Sequence, residues 1–177
     1  RKQTEAVADF LNNEGFTALP YHAGLETKAR RDKQDQFMTD PAVIMVATIA
    51  FGMGIDKPDI RFVAHVSLPG SMESYYQEIG RAGRDEKPAD TMLLFSLSDL
   101  FQRRRFIEEG DDDDSHKVRE HKRLDSLIAY CEAPTCRRHA LLHYFGEKSK
   151  SCGNCDNCLN PPTLIDGTEL AIQILAT

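Results

Sequence analysis

The chain predicts an α/β domain, a mainly parallel sheet with flanking helices, followed by a smaller helical part that holds a metal. Three observations carry this. VIMVA (Val43–Ala47) is a continuous apolar, β-branched run, the mark of a strand buried on both faces. Strand-like and helix-like segments alternate up to about residue 100. Beyond that point strand signals stop, and all five cysteines fall between Cys131 and Cys158.

Element by element, TEAVADFLNNE (residues 4–14) sets Ala6, Val7, Phe10 and Leu11 on one helical face, with Gly15 as its C-terminal cap. FTALPYH follows as a short strand running into a loop at His22, Ala23 and Gly24. Leu25–Met38 is highly charged and reads as a surface helix ended by Pro41. VIMVA is next, then a second strand candidate at residues 60–68, a helix over 71–81 and a strand at Thr91–Ser96. Helices are expected at Asp99–Glu109, Lys117–Cys131 and Cys136–Phe145, then a cysteine-rich loop. In parallel sheets ligands gather at the carboxyl ends of strands, so the loops His22–Leu25, Thr48–Pro58 and Pro69–Ser71 are the places for a site.

The 177 residues carry a net charge of −6, unusual for a nucleic-acid binder. The run EEGDDDD (Glu108–Asp114) supplies six acidic residues, so the remainder is neutral and can hold basic patches. The run itself reads as a solvated, mobile loop. No apolar stretch is long enough to cross a bilayer. The start lacks the apolar core of a signal peptide, which points to an intracellular protein, and it begins at Arg1 rather than Met, as a piece of a longer chain would.

CGNCDNC places Cys152, Cys155 and Cys158 at C-x2-C-x2-C spacing, with Cys136 sixteen residues before Cys152. Four thiols suit tetrahedral zinc, ahead of an iron–sulfur cluster, and a closed set leaves no position for water, so the role is structural. Cys131 reads as a buried core thiol; His139 and His143 read as ordinary helix residues. The loop after VIMVA holds Gly52, Gly54 and Asp56: glycines allow backbone N–H groups to approach a phosphate, and Asp56 can accept from a ribose hydroxyl. QEIGRAGRD (Gln77–Asp85) then sets Arg81 and Arg84 beside small residues, a pattern for gripping phosphate or, equally, an exposed charged turn.

Taken in order, YHAGL, VATIAFGMGIDKPDIRFVAH, SLPGSMESYYQEIGRAGRD, AYCEAPTCRRHALLHYFGE and CGNCDNC resemble the RecQ family of ATP-dependent DNA helicases, from about residue 2 to 162. GRAGR alone marks the wider superfamily 2; the cysteine module narrows it. The resemblance implies a second RecA-like motor domain over residues 1–108 that lacks its first strand. A helical zinc-binding subdomain over 109–162 and the start of a winged-helix domain over 163–177 would follow. The first motor domain, with its GxxxxGK[S/T] loop and DExH box, is not in the sequence.

By that resemblance, Arg84 is the arginine finger and Arg81 its neighbour at the γ-phosphate. Gln77 positions their segment, and Asp56 and Gly54 lie near the ribose or the motor interface. His22, Gly24 and Thr48 face single-stranded DNA, and Arg137 and Arg138 contact phosphate or duplex, an ion pair being the alternative for those two. Cys136, Cys152, Cys155 and Cys158 hold Zn²⁺. ATP and Mg²⁺ are held mainly by the other motor domain. The implied activity is 3′→5′ unwinding in DNA repair and recombination. The expected partners are a single-stranded 3′ tail, a duplex junction and a single-stranded-DNA-binding protein. The expected setting is the bacterial cytoplasm, at the nucleoid. The competing reading is a non-catalytic nucleic-acid-binding or scaffold piece, since no Walker A loop is present. One departure from the family pattern stands out: Glu86 follows GRAGRD where glycine is usual.

Overall fold

The computed structural model describes residues 1–48, 51 and 55–176. Its elements are α1 (Lys2–Asn13), β1 (Thr17–Tyr21), α2 (Thr27–Thr39), β2 (Val43–Ala47), β3 (Phe62–His65), α3 (Met72–Ile79), β4 (Asp90–Leu93), α4 (Leu97–Glu109), α5 (Asp114–Glu132), α6 (Arg137–Tyr144), α7 (Asp156–Leu159) and α8 (Thr168–Leu175). Two compact units result: Arg1–Val66 with Gln77–Leu94, and Ser67–Tyr76 with Phe95–Thr177.

The first unit is α/β. β1 pairs in parallel with β2, Thr17 opposite Val43, and β3 with β4, Phe62 opposite Asp90. Each pair is joined through a helix, as parallel neighbours require. Phe37 of α2, Val43 of β2 and Ile55 form the core, with Leu19, Met45, Phe51 and Ile60 against them. Phe51 meets Tyr21 and Phe37 edge-on, at 4.7 and 5.4 Å between centroids. Asn12 closes the turn into β1 by a paired bond with Ala18: its Nδ2 donates to the carbonyl, and its Oδ1 accepts from the N–H, both at 2.9 Å. Gly15, at φ +90, turns the chain out of α1.

Three sequence expectations need correction here. The inward face of α1 is Thr4, Val7, Ala8 and Leu11; Ala6 is exposed and Phe10 is 62% exposed. Small Thr4 and Ala8 let the helix lie close to the sheet, and periodicity alone cannot tell a small buried residue from a small exposed one. β2 is half buried beyond Val43, because among the described residues it pairs only with β1. The acidic run is not one loop: Glu108 and Glu109 end α4, Asp113 caps α5 by accepting from the His116 N–H at 2.8 Å, and Asp114 lies in its first turn. Carboxylates at that N-terminus are stabilised by the positive end of the helix dipole and by the free N–H groups.

The second unit is helical. Leu68, Met72, Leu124 and Leu127 are almost wholly buried, joined by Tyr75, Cys136 and Leu141. Arg103 of α4 donates twice to the Leu68 carbonyl, from Nε at 3.2 Å and Nη2 at 2.8 Å. α4 opens with a capping box in which Ser96 and Asp99 each accept the other's N–H.

Candidate functional site: an arginine turn and a four-thiol cluster

The arginine turn follows α3. Ala82 N–H closes onto the Ile79 carbonyl, and the Gly83 and Asp85 N–H groups donate to the Ile60 and Pro58 carbonyls at 3.0 and 3.2 Å. The turn is thereby bound to the segment that follows the glycine loop. Gly83 is obligatory on two counts: φ is +66, and a Cβ would stand 2.9 Å from the Lys87 carbonyl. Arg61 fastens the far side. It donates to the Asp59 and Pro88 carbonyls at 2.9 and 3.1 Å and pairs with Asp85. Its hydrogen bond, ahead of the opposing cost of desolvation, holds the Asp85 carboxyl below its ordinary pKa. Glu86, the family-atypical residue, sits at φ +63, where glycine would be at no disadvantage.

Within this frame Arg84 Nη1 donates to Asp56 Oδ1 at 2.6 Å and Nε to the Gly80 carbonyl at 3.3 Å. Both partners are open to solvent, the side chains 40% and 84% exposed. Arg81 is half buried, and its guanidinium has no hydrogen bond or ion pair among the described residues. Gln77 is exposed on the last turn of α3. Gly54 lies outside the described residues. The structure therefore brings Asp56 to Arg84, which spacing alone had only placed in the same region.

His22 is 4% exposed and turned inward. Its Nδ1 accepts from the Gly24 N–H at 3.2 Å, so its Nε2 carries the proton shared with Glu5 Oε1 at 3.2 Å. The enclosed side chain shapes the loop that exposes Ala23 and Gly24. Thr48 directly follows β2, its N–H donating to the Tyr21 carbonyl at 3.1 Å.

In the second unit the Sγ atoms of Cys136, Cys152, Cys155 and Cys158 all lie within 4.8 Å of one another. Cys152 and Cys158 are 4.0 Å apart, against about 3.8 Å for sulfurs on a tetrahedral zinc with ~2.3 Å bonds. Backbone N–H groups support the sulfurs: Cys152 N donates to Cys136 at 3.2 Å and Arg137 N to Cys155 at 3.3 Å. Burial alone would raise the Cys136 thiol; N–H donation from His139 and Cys152 instead brings it down to about 6. Cys155 is lowered against the same burial cost by the Arg137 N–H. Cys158 goes the other way: a Gly153 N–H lowers it, but proton sharing with Cys155 prevails and pushes it to about 11. Four thiols this close cannot all be anionic by themselves, and a divalent cation removes that conflict. Gly153, at φ +74, makes the tight turn.

Cys131 stands outside the cluster and is half-buried rather than a core thiol; that burial pushes its thiol up to about 11. His139 is occupied with Ser149, whose carbonyl is 2.9 Å from Nδ1. Arg137 is fully engaged. Nε and Nη2 hold Asp156 at 3.0 Å each, and Nη1 donates to the Tyr130, Cys131 and Ala133 carbonyls at 2.9, 2.9 and 3.3 Å. Of the two readings of Arg137, the internal ion pair is the one these hydrogen bonds favour. Arg138 is exposed, with no side-chain hydrogen bond or ion pair among the described residues. The sequence reading missed Asn157, whose Nδ2 donates to the Ala133 and Thr135 carbonyls at 2.7 and 2.8 Å. It also missed Arg61. Both act over long separations and leave no local pattern.

Comparison with known proteins bears on both sites at once. Residues 1–86 match the helicase conserved C-terminal domain and residues 97–159 match the RecQ zinc-binding domain. The chain belongs to the RecQ family. Among RecQ relatives, the ATP-dependent DNA helicase RecQ of Haemophilus influenzae is 44% identical over 100% of this chain and 29% of that protein. The ATP-dependent DNA helicase RecQ of Bacillus subtilis is 41% identical over 99% and 30%. RecQ-like DNA helicase BLM of Xenopus laevis is 45% identical over 90% and 12%. The chain thus spans less than a third of the length of these relatives. Among solved structures, Mss116p bound to single-stranded RNA and AMP-PNP is 26% identical, with a TM-score of 0.51 over 62% of this chain and 22% of that one. Escherichia coli SrmB is 24% identical, also at 0.51, over 62% and 66%, and agrees in fold. The RecQ motor half is a RecA-like domain, and zinc is the structural cofactor of the module that follows it, for which Cys136, Cys152, Cys155 and Cys158 form a fitting four-thiol donor set.

Proposed function

We propose that this chain is the arginine-bearing half of the motor of an ATP-dependent 3′→5′ DNA helicase acting in repair and recombination. The observation that carries the reading is the arginine turn beside Asp56, in one chain with a RecQ zinc module. Relatives named as ATP-dependent DNA helicases support it.

In this reading ATP and Mg²⁺ are held mainly by the first motor domain, since no GxxxxGK[S/T] loop occurs in the 177 residues. This chain alone is inactive. Arg84 is the finger. Its exposed pair with Asp56 is worth about 0–1 kcal/mol, so a γ-phosphate carrying more charge displaces it readily. Charge grows on the phosphoryl oxygens during transfer, and a guanidinium there contributes about 10³-fold or more. Arg81 meets the same phosphate, Gln77 positions the turn, and Asp56 and Gly54 lie toward the ribose.

Gly24, Thr48 and Arg138 face DNA without reading bases, as a translocase requires. The domain division is 1–108, 109–162 and 163–177, the last being the start of a winged helix. Partners are a single-stranded 3′ tail, the duplex junction and a single-stranded-DNA-binding protein. The setting is the bacterial cytoplasm, at the nucleoid; no described helix is long and apolar enough to cross a membrane.

The test is DNA-stimulated ATP hydrolysis by the full-length enzyme carrying Arg84→Ala. Turnover should fall at least about 10³-fold with nucleotide binding retained. Undiminished turnover refutes the assignment, and better stimulation by RNA than by DNA refutes the substrate.

A further inference from the structure

Lys57 is buried to 6% exposure next to the most exposed carboxylate of the arginine site. Lysine is almost never enclosed unless its charge is answered. Here its Nζ lies 3.4 Å from the Met38 carbonyl in the last turn of α2, 3.4 Å from Asp59 Oδ1 and 5.4 Å from the centre of the Phe37 ring. A helix C-terminus, a carboxylate and an aromatic face all favour a cation.

The segment alternates. Ile55 is 5% exposed and packs with Phe37 and Val43, Asp56 points out, and Lys57 points in again. Two inward anchors therefore aim the residue between them. Ile55 holds by apolar contact, which is non-directional; Lys57 holds by contacts on named atoms, which fix where the segment lies along α2.

We propose that Lys57 is a positioning residue of the nucleotide site: it fastens the Asp56 segment to the end of α2 and so sets where Asp56 meets the Arg84 guanidinium. It touches neither ATP nor the reacting atoms. The inference rests on the reading of Arg84 as the finger.

The test uses the full-length enzyme and Lys57→Met, which keeps the volume and removes the charge. Removing one partner of an ion pair is costly where the other stays buried, but the Asp59 side chain is 46% exposed and its carboxylate is hydrated once the ammonium is gone. The melting temperature and zinc content should therefore hold, while kcat for DNA-stimulated ATP hydrolysis falls about tenfold, as misplacement of a catalytic frame does. In an Asp56→Asn background the same change should cost less than about twofold, because the two act through one contact. A merely structural role gives the opposite pattern: stability and kcat fall together, and the two substitutions multiply. Either result overturns the proposal. Loss of turnover in Arg84→Ala beside unchanged kcat in Lys57→Met overturns it alone; full turnover in Arg84→Ala overturns the finger reading and the proposal with it. Lys57→Gln serves by the same criteria if Lys57→Met does not fold.

Discussion

Glycine in place of Glu86 should stabilise the protein. Among the described residues Glu86 is the one non-glycine position with positive φ, at +63. A left-handed backbone costs an L-residue about 1–2 kcal/mol. Glycine removes that cost but adds about 0.5–1 kcal/mol of unfolded-state freedom. The backbone bond from the Glu86 N–H to the Gly83 carbonyl, 3.0 Å, survives the change, and the exposed side chain has no partner to lose among the described residues. The net gain is about 0.5–1 kcal/mol, or roughly 2–8 °C in melting temperature for a unit of this size. Gly83→Ala in the same turn has the opposite sign. It meets the same penalty at φ +66 and drives a Cβ to 2.9 Å from the Lys87 carbonyl, so a loss of about 2–4 kcal/mol is expected. Thermal unfolding followed by circular dichroism, with zinc present, reads both. A fall in melting temperature for Glu86→Gly, or shifts of like sign for the pair, refutes the strain argument.

The remaining predictions concern the zinc module and the back of the arginine turn. Cys155→Ser should lose the metal and most of the helical signal of the second unit; one equivalent of zinc retained by metal analysis means the ligand set is wrong. Arg137→Ala should destabilise by about 2–3 kcal/mol, leaving the Asp156 carboxylate and backbone carbonyls without their donor. Arg138→Ala should leave melting and zinc unchanged, weaken DNA binding and flatten its salt dependence. Asp85 gives a pH signature. Its carboxyl is depressed below the ordinary 3.8 by the Arg61 hydrogen bond, so its contribution is fully present above that value and disappears as pH falls through the lower, folded value. The gap in melting temperature between the parent and Arg61→Ala should be constant from pH 7 to about 5 and narrow below pH 4, to what the two carbonyl bonds of Arg61 contribute; a gap that widens in acid contradicts the pairing.

What could be read in the sequence was what is written in local periods. VIMVA, the charged helix of α2 and the C-x2-C-x2-C spacing each lie within about a dozen residues, and the structure places each as an element or a cluster. The failures have a common cause. The face of α1 turned on whether Thr4 or Phe10 lies against the sheet, which the helical period permits either way. The partners of His22 and Arg137, Glu5 and Asp156, come from distant segments, and no local pattern announces those pairs. Lys57 and Arg61 were passed over because a basic residue in a polar loop reads as solvated until its neighbours are known.

The four arginines proposed to meet phosphate make the same point quantitatively. Each guanidinium has five N–H donors, so what remains after internal partners are counted ranks its availability. Arg137 has bonds to a carboxylate and three carbonyls and would have to break several, at about 1 kcal/mol each, to reach a phosphate. Arg84 gives up one exposed carboxylate and one carbonyl. Arg81 and Arg138 give up nothing on their side chains among the described residues. The order of availability, Arg81 and Arg138 first, Arg84 next and Arg137 last, also sorts them by role. On the proposed reading the finger belongs in the middle class: a side chain held lightly by Asp56 is already oriented, and only a group more highly charged than a carboxylate draws it off.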